Sequence, residues 1–527
     1  MPAAPRPSQR HLCNPGPARM GNWQASPQPR RGRSRSSGSG ARSGTPPLVA
    51  HPRLLVLAIW LAVIFALGGS SRPDMPSLLV LRPASILMTG AGLWTLTGAQ
   101  AARFKRIFGF VAATMALIAL HLVPLPPAVW SALPGRELIA EIDQATGLAG
   151  AWRPLSMAPP WTWNALWFMF TPLSVLVHAA QLSTGELRKL GGVLLLLGLV
   201  SALLGIAQIA GGNGGSLYLY SVTHTGVSVG LFANRNHQAL LLATLVPIAL
   251  VWLRHHPVLI RFDQQDTRKV DLTNAAVAVL LGALFPLVLA SGSRAGLAIA
   301  IVSVVVSLVV LPPRRANREA QSKARRGRLL LWPLLAVLGG LAITGIALKN
   351  DRALSIERLV ELDPRKDFRS RVLPPVFLMI RHYAPVGSGI GTFEPVYQID
   401  EPDELLDPEY ANHVHSDWLE VALTAGVPGL LLLGCAVVAW LVGAWRCISA
   451  KSRRQRPEHE LAIAGLLAIL LTGIASITDY PLRTPSLSAV LVVLILWIDL
   501  GLSKQGSYQT DDGATTIAAD AVPDHSF

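Results

Sequence analysis

Charge is scarce in this chain. Only 15% of its 527 residues are Asp, Glu, Lys or Arg, whereas soluble domains carry roughly 25%. A soluble second domain is therefore not expected. Cysteine is scarcer still, with three in all. Cys13 lies in a polar tail, Cys435 inside an apolar run and Cys447 just after it. That distribution predicts no disulfide and offers no metal-ligand spacing. The first 50 residues contain no Asp or Glu, although they carry Arg6, Arg10, Arg19, Arg30, Arg31, Arg33, Arg35 and Arg42. Aromatic residues interleaved with basic ones are also missing, which excludes nucleic acid as a partner despite the net charge of +15.

What the chain has in quantity is apolar sequence, 51% of it, gathered in runs near the length a helix needs to cross about 30 Å of hydrocarbon. The runs are 54–69, 78–98, 107–123, 162–181, 190–211, 236–253, 273–291, 295–311, 329–348, 417–445, 460–478 and 485–502. This predicts an all-α integral membrane protein of about 12 transmembrane helices. Arg82 and Pro83 would move the start of the second run to Ala84, and Ser291-Gly292-Ser293-Arg294 leaves room only for a tight turn. Basic residues concentrate in alternate loops: Arg103, Lys105 and Arg106; Arg188 and Lys189; Arg254 to Lys269; Arg314 to Arg328; Arg446 to Arg456. Positive loops face the cytoplasm, so both termini are expected there. Residues 1–53 then form a disordered basic cytoplasmic tail, 54–502 the membrane domain and 503–527 a second cytoplasmic tail. The large loop at 349–416, between the ninth and tenth helices, is expected to be periplasmic. Membrane lipids are an expected partner.

Four places on the outer side carry polar residues that a lipid-facing helix would not choose. Leu231-Phe232-Ala233-Asn234-Arg235-Asn236-His237 runs straight into a helix, and Asn234 or Asn236 can cap it. In Ser291-Gly292-Ser293-Arg294-Ala295-Gly296, Arg294 sits against the positive end of its own helix and calls for an anionic partner. Arg369-Ser370-Arg371 is followed by Pro385 and by Gly387-Ser388-Gly389-Ile390-Gly391-Thr392-Phe393. This glycine string has the look of a phosphate-cradling loop without the Lys-Ser/Thr of one, and a turn explains it equally well. His413-Val414-His415-Ser416-Asp417-Trp418-Leu419-Glu420 precedes Gly426 and Gly429. No third ligand is spaced to join the two histidines in a zinc site, so a general base is the better reading. Asp417 and Glu420 can orient that base or cap the following helix.

In this order the motifs resemble those of the O-antigen ligase and O-antigen polymerase family of bacterial glycosyltransferases, over residues 220 to 440. Phe232 to His237 is similar to the family's Phe-x-Asn-x-Asn-His segment, and Ser293-Arg294-Ala295-Gly296 to its Ser-Arg-Gly/Ala-Gly turn. Arg371, Pro385 and Gly387-x-Gly389-x-Gly391-x-Phe393 resemble its Arg…Pro-x-x-Gly-x-Gly-x-Phe segment. His413-Val414-His415 with Gly426 and Gly429 resembles its His-x-His-Asn…Gly-x-x-Gly segment. Two departures stand out. Ser416 occupies the place of the usual Asn, and Pro374-Pro375 that of the usual Trp, so Arg369 and Arg371 both stand as the large-loop arginine.

The resemblance implies transfer of a glycan from an undecaprenyl-diphosphate carrier to an acceptor hydroxyl on a glycan or lipid, at the periplasmic face of the inner membrane. In that scheme Arg294 and Arg371, or Arg235, clamp the diphosphate, and His415 takes the acceptor's proton with Asp417 behind it. Asn236, His413 and Glu420 are further candidates. His415 is preferred to His413 because it lies at the first turn of a helix rather than further into a loop. No cofactor or metal is implied. The rival reading is a membrane transporter of a small anion such as inorganic carbon, which buried charges also suit.

Overall fold

The computed structural model describes residues 51–211, 216–255, 259–260, 270–271, 286–288, 290–311, 368–406, 411–450 and 456–503. The expected helix at 329–348, most of the one at 273–291 and nearly all of both tails lie outside these residues. What is described is mostly helical. Among the described residues, six helices are long and apolar enough to cross a membrane: Leu78–Thr95, Thr184–Gly211, Arg235–His255, Asp417–Ser449, Pro457–Ala475 and Pro485–Leu502. Pro52–Leu67 and Arg294–Val310 are shorter apolar helices. Large apolar side chains such as Leu79, Leu87, Trp94, Leu431 and Trp445 stand mostly exposed on these elements. Water would not tolerate so many, but hydrocarbon does.

Two expectations shift. The second helix begins at Leu78, with Pro83 inside it, and not at Ala84. The run at 162–181 divides into Pro159–Phe168 and Phe170–Ala179. Pro172 has no N–H to offer the Phe168 carbonyl, so one helical hydrogen bond is lost at that break. Within the large loop, the described residues form the helices Phe368–Tyr383 and Phe393–Asp400.

Arg235–His255 is the central element, with Ala239, Leu241, Ala243 and Leu245 fully buried. It packs on Thr184–Gly211, Arg294–Val310 and Pro457–Ala475, and the last of these pairs with Pro485–Leu502. Small residues let these backbones approach. A Cβ on Gly465 would come within 2.8 Å of the Leu494 carbonyl.

Contacts between loops separate the bundle into two ends. At one, Arg103 reaches the Leu182 carbonyl, Arg188 pairs with Glu458, and Arg254 and His255 pair with Glu460. At the other, Ala233 donates to the Gly69 carbonyl, Ser293 to Asn236, and Ser416 to the Ser476 carbonyl. The described loops rich in Lys and Arg thus share the first end, and the four polar motifs share the second.

Candidate active site

The site is assembled from helix starts. Asn234 accepts from the Asn236 amide at 2.9 Å and takes the His237 and Gln238 amides on its carbonyl, so Asn234 opens the Arg235 helix. That leaves the Asn236 side chain for another task, and it accepts from Ser293 Oγ at 2.6 Å. Ser293 in turn caps Arg294–Val310 by accepting from the Gly296 amide at 2.8 Å. Gly296 is required by contact: a Cβ there would lie 2.4 Å from that of Ala239. Two motifs far apart in sequence are thereby locked side by side.

Ser416 caps the Asp417 helix, its hydroxyl accepting from the Leu419 amide. Serine fills the capping role well, so neither Asp417 nor Glu420 is needed as a cap. Both carboxylates lie one turn apart on the same buried face and share one guanidinium. Arg483 Nε is 3.4 Å from Asp417 Oδ1, and its Nη2 is 3.5 Å from Glu420 Oε1. Asp417 also accepts from Ser476 Oγ and from the Leu482 amide. Glu420 accepts from His413 Nδ1 at 3.0 Å and from the Val414 amide.

The ring of Tyr480 is the hub. Its centroid lies 5.5 Å from that of His237, 4.4 Å from His413 and 5.0 Å from His415. Burial and the neighbouring Asp479 carboxylate push the Tyr480 hydroxyl above its ordinary range, so it stays protonated. Asp479 itself is almost wholly buried. Burial works against its ionisation, but His237, Arg369 and His415 outweigh it and hold the carboxyl below the usual range. Burial, then Arg369, pushes the His415 imidazole down to about 4, so it is neutral at neutral pH and its ring can accept a proton. His415 is also the one non-glycine residue among those described with left-handed backbone, φ +58°.

The first half of the glycine string is turned toward the fold. Pro428 cannot bond the Thr424 carbonyl, and Gly426 breaks the Asp417 helix at φ +57°, ψ −150°. The freed groups are taken up by the string: Ser388 donates to the Leu423 carbonyl, Gly389 to that of Thr424, and Val427 to that of Pro385. Gly387 donates to Tyr383. The string's far side is closed by buried Arg136, which donates to the Gly387 carbonyl, and by Thr162, which donates to that of Ile390. A Cβ at Gly389 would meet Ser156 at 2.4 Å. The amides of 387, 388 and 389 are therefore committed to the fold, and the reading as a turn holds.

The sequence-predicted residues divide accordingly. Asn236, His237, His413, His415, Asp417 and Glu420 come together. Arg294 is exposed at the rim, on the first turn beside Asn236. Arg371 is exposed and donates to the Glu404 carbonyl, whereas Arg369 is the arginine close enough to perturb His415, Asp479 and Tyr480. Arg235 opens the central helix, half-buried. Asp417 was expected behind His415, but its hydrogen bonds go to Ser476, Leu482 and Arg483. His413 was expected further out in the loop, but its side chain is only 12% exposed and is anchored by Glu420. Asp479, Tyr480 and Arg483 were missed. The signal available was an acid, an aromatic and a base in a short link between two apolar runs.

These features define a multi-pass helical membrane protein with a dense polar cluster at one end of its bundle. Residues 276–434 match the family model described as O-antigen ligase. That stretch holds the Ser293 turn, the Arg369 helix, the glycine string and both histidines, and it supports assignment to the O-antigen ligase family. The match also supports glycan transfer of the ligase or polymerase type. The Phe232–His237 segment and Asp479–Arg483 fall outside it. No curated protein matches the chain.

Proposed function

We propose that this cluster transfers a glycan from an undecaprenyl-diphosphate-linked donor to an acceptor hydroxyl at the periplasmic face of the inner membrane. The observation that carries the reading is the gathering of His237, His413 and His415 around Tyr480 with Arg369 beside them. Arg369 binds the donor diphosphate, helped at the rim by Arg294 and Arg235, because a planar guanidinium matches phosphate oxygens and keeps its proton. Arg371, turned to Glu404, is the weaker candidate. His415 takes the proton of the acceptor hydroxyl. The acceptor oxygen then bonds to the anomeric carbon as the carbon–oxygen bond to the diphosphate breaks, and the diphosphate leaves with the electron pair. Diphosphate is a good leaving group, so the scheme asks for no metal or nucleotide cofactor. Asp417 acts at one remove, through Arg483 and Glu420. No observation favours an anion transporter.

The test is deletion of the gene with complementation, read as surface polysaccharide. Wild-type protein is expected to restore it, and Arg369→Lys to restore it poorly at normal protein level, since Lys keeps the charge but loses the fork. Unchanged polysaccharide on deletion would end the reading, and full rescue by Arg369→Lys would remove that arginine from it.

The membrane sidedness has its own check. The alternating basic loops put both termini in the cytoplasm and the large loop outside. Reporter fusions after residues 320 and 400 are expected to report opposite faces, and agreement between them would overturn the topology.

A further inference from the structure

A small, partly enclosed gap lies where the starts of the Arg235 and Arg294 helices meet the Thr478–Pro481 link. Leu240 and Ile299 give it an apolar wall, and Asn236, His237, Thr478 and Asp479 a polar end. Two polar atoms at that end have no hydrogen-bond partner among the described residues: His237 Nε2 and Asp479 Oδ2. Both side chains are almost wholly buried, 1% and 4% exposed. His237 Nδ1 is already engaged by Thr484 Oγ1 at 3.0 Å, and Asp479 Oδ1 by the Tyr480 amide at 2.9 Å. The two side chains lie close, with Nε2 3.8 Å from the engaged Oδ1. That is too long for a direct hydrogen bond, so a small group set beside both side chains can meet Nε2 and the open Oδ2. A buried carboxylate oxygen left unsatisfied is costly, so a partner is called for.

We propose that the gap between His237 and Asp479 is a subsite for a single sugar hydroxyl. The chemistry selects that group. An ionised carboxylate needs a hydrogen to accept, and it favours the imidazole tautomer with its hydrogen on Nε2. The ligand atom must therefore donate to Asp479 and accept from His237, which a hydroxyl does. A phosphate oxygen has no hydrogen to give and is repelled by the carboxylate, so the diphosphate is kept to the arginine side. This subsite rests on the transfer reading above and orients the glycan relative to its leaving group. The hydroxyl belongs either to the donor's sugar or to the acceptor.

The experiment uses the full chain in lipid nanodiscs, with Asp479→Asn and His237→Ala compared to wild type. Three quantities are read: binding of undecaprenyl diphosphate, binding of the lipid-linked glycan extracted from the deletion strain, and KM for an acceptor membrane fraction. Melting temperatures and rescue by His237→Gln, whose amide can also donate, separate a local effect from misfolding. A loss of about 10-fold in glycan-lipid binding, with undecaprenyl diphosphate unaffected, identifies a donor hydroxyl. A rise of about 10-fold in acceptor KM alone identifies an acceptor hydroxyl. No change in any of the three means that the gap holds only a structural water, and equal weakening of both lipids means a diphosphate effect. Either result overturns the subsite. Wild-type protein that binds neither lipid and transfers nothing would instead defeat the transfer reading.

Discussion

Replacing Arg483 with methionine is expected to destabilise the protein by about 3 kcal/mol, the low end of the range for removing one partner of a buried ion pair, because Arg483 itself is 21% exposed. The reason is charge count. Asp417 and Glu420 lie one helical turn apart, with side chains 10% and 1% exposed, and Arg483 is the guanidinium between them. Without it two buried carboxylates repel each other across a single turn. Asp417 keeps Ser476 and the Leu482 amide, and Glu420 keeps His413 and the Val414 amide. These contacts orient the carboxylates, but Ser476 and the two amides bring no charge. Arg483→Lys is expected to fall between, because one ammonium cannot span both partners as Nε and Nη2 do. The double variant Asp417→Asn with Arg483→Met is expected to regain much of the loss, since it leaves one buried carboxylate with a histidine beside it. Thermal melts in nanodiscs check this. A methionine variant that melts with wild type would mean that the two carboxylates are not held by Arg483.

Why this cluster was half legible in the sequence follows from particular residues. Apolar length marks helices well, so Arg235–His255 and Pro485–Leu502 lie within two residues of expectation. The histidines and carboxylates before and within the Asp417 helix were visible because polar residues at a helix start beside a membrane are conspicuous. Their pairing was not. Asp417 and Glu420 read equally as partners of His415 or as caps, and their true partner lies more than 60 residues on, in a link too short to attract notice. The large-loop arginine shows the same limit. Val372, Val376, Met379 and Tyr383 are buried at helical spacing, and Arg369 is on that face while Arg371 is not. The periodicity is plain once a helix is assumed, but Pro374 and Pro375 argue against assuming one. The glycine string read as a turn or a phosphate loop alike, because its partner, the broken turn around Gly426, is a tertiary feature that no local pattern announces.

His415 is expected to be separable from the fold in the direction opposite to Arg483. Its left-handed backbone costs a non-glycine residue about 1–2 kcal/mol. Glycine adopts that conformation freely, so His415→Gly is expected to melt at or above the wild-type temperature, part of the relief being offset by the freer unfolded chain. Asparagine tolerates the same region and is the second variant of choice. Both remove the proton acceptor, so transfer from a lipid-linked donor is expected to fall by roughly 100-fold to 10,000-fold, the range for loss of a general base. Strain that persists where a ring is held against Tyr480 is the pattern of a functional position. The sign of the pH dependence follows from burial and Arg369, which hold the imidazole near 4. Wild-type activity is expected to lose this base only as pH falls toward 4 and to be insensitive to it between pH 6 and 8. His413→Ala should behave differently: it takes from Glu420 its imidazole partner, so melting temperature and rate are expected to drop together. A stable His415→Gly protein with wild-type transfer would show that the strained residue is not the base. A variant that fails to fold would show that the left-handed turn needs the imidazole, and His415→Asn would then carry the measurement.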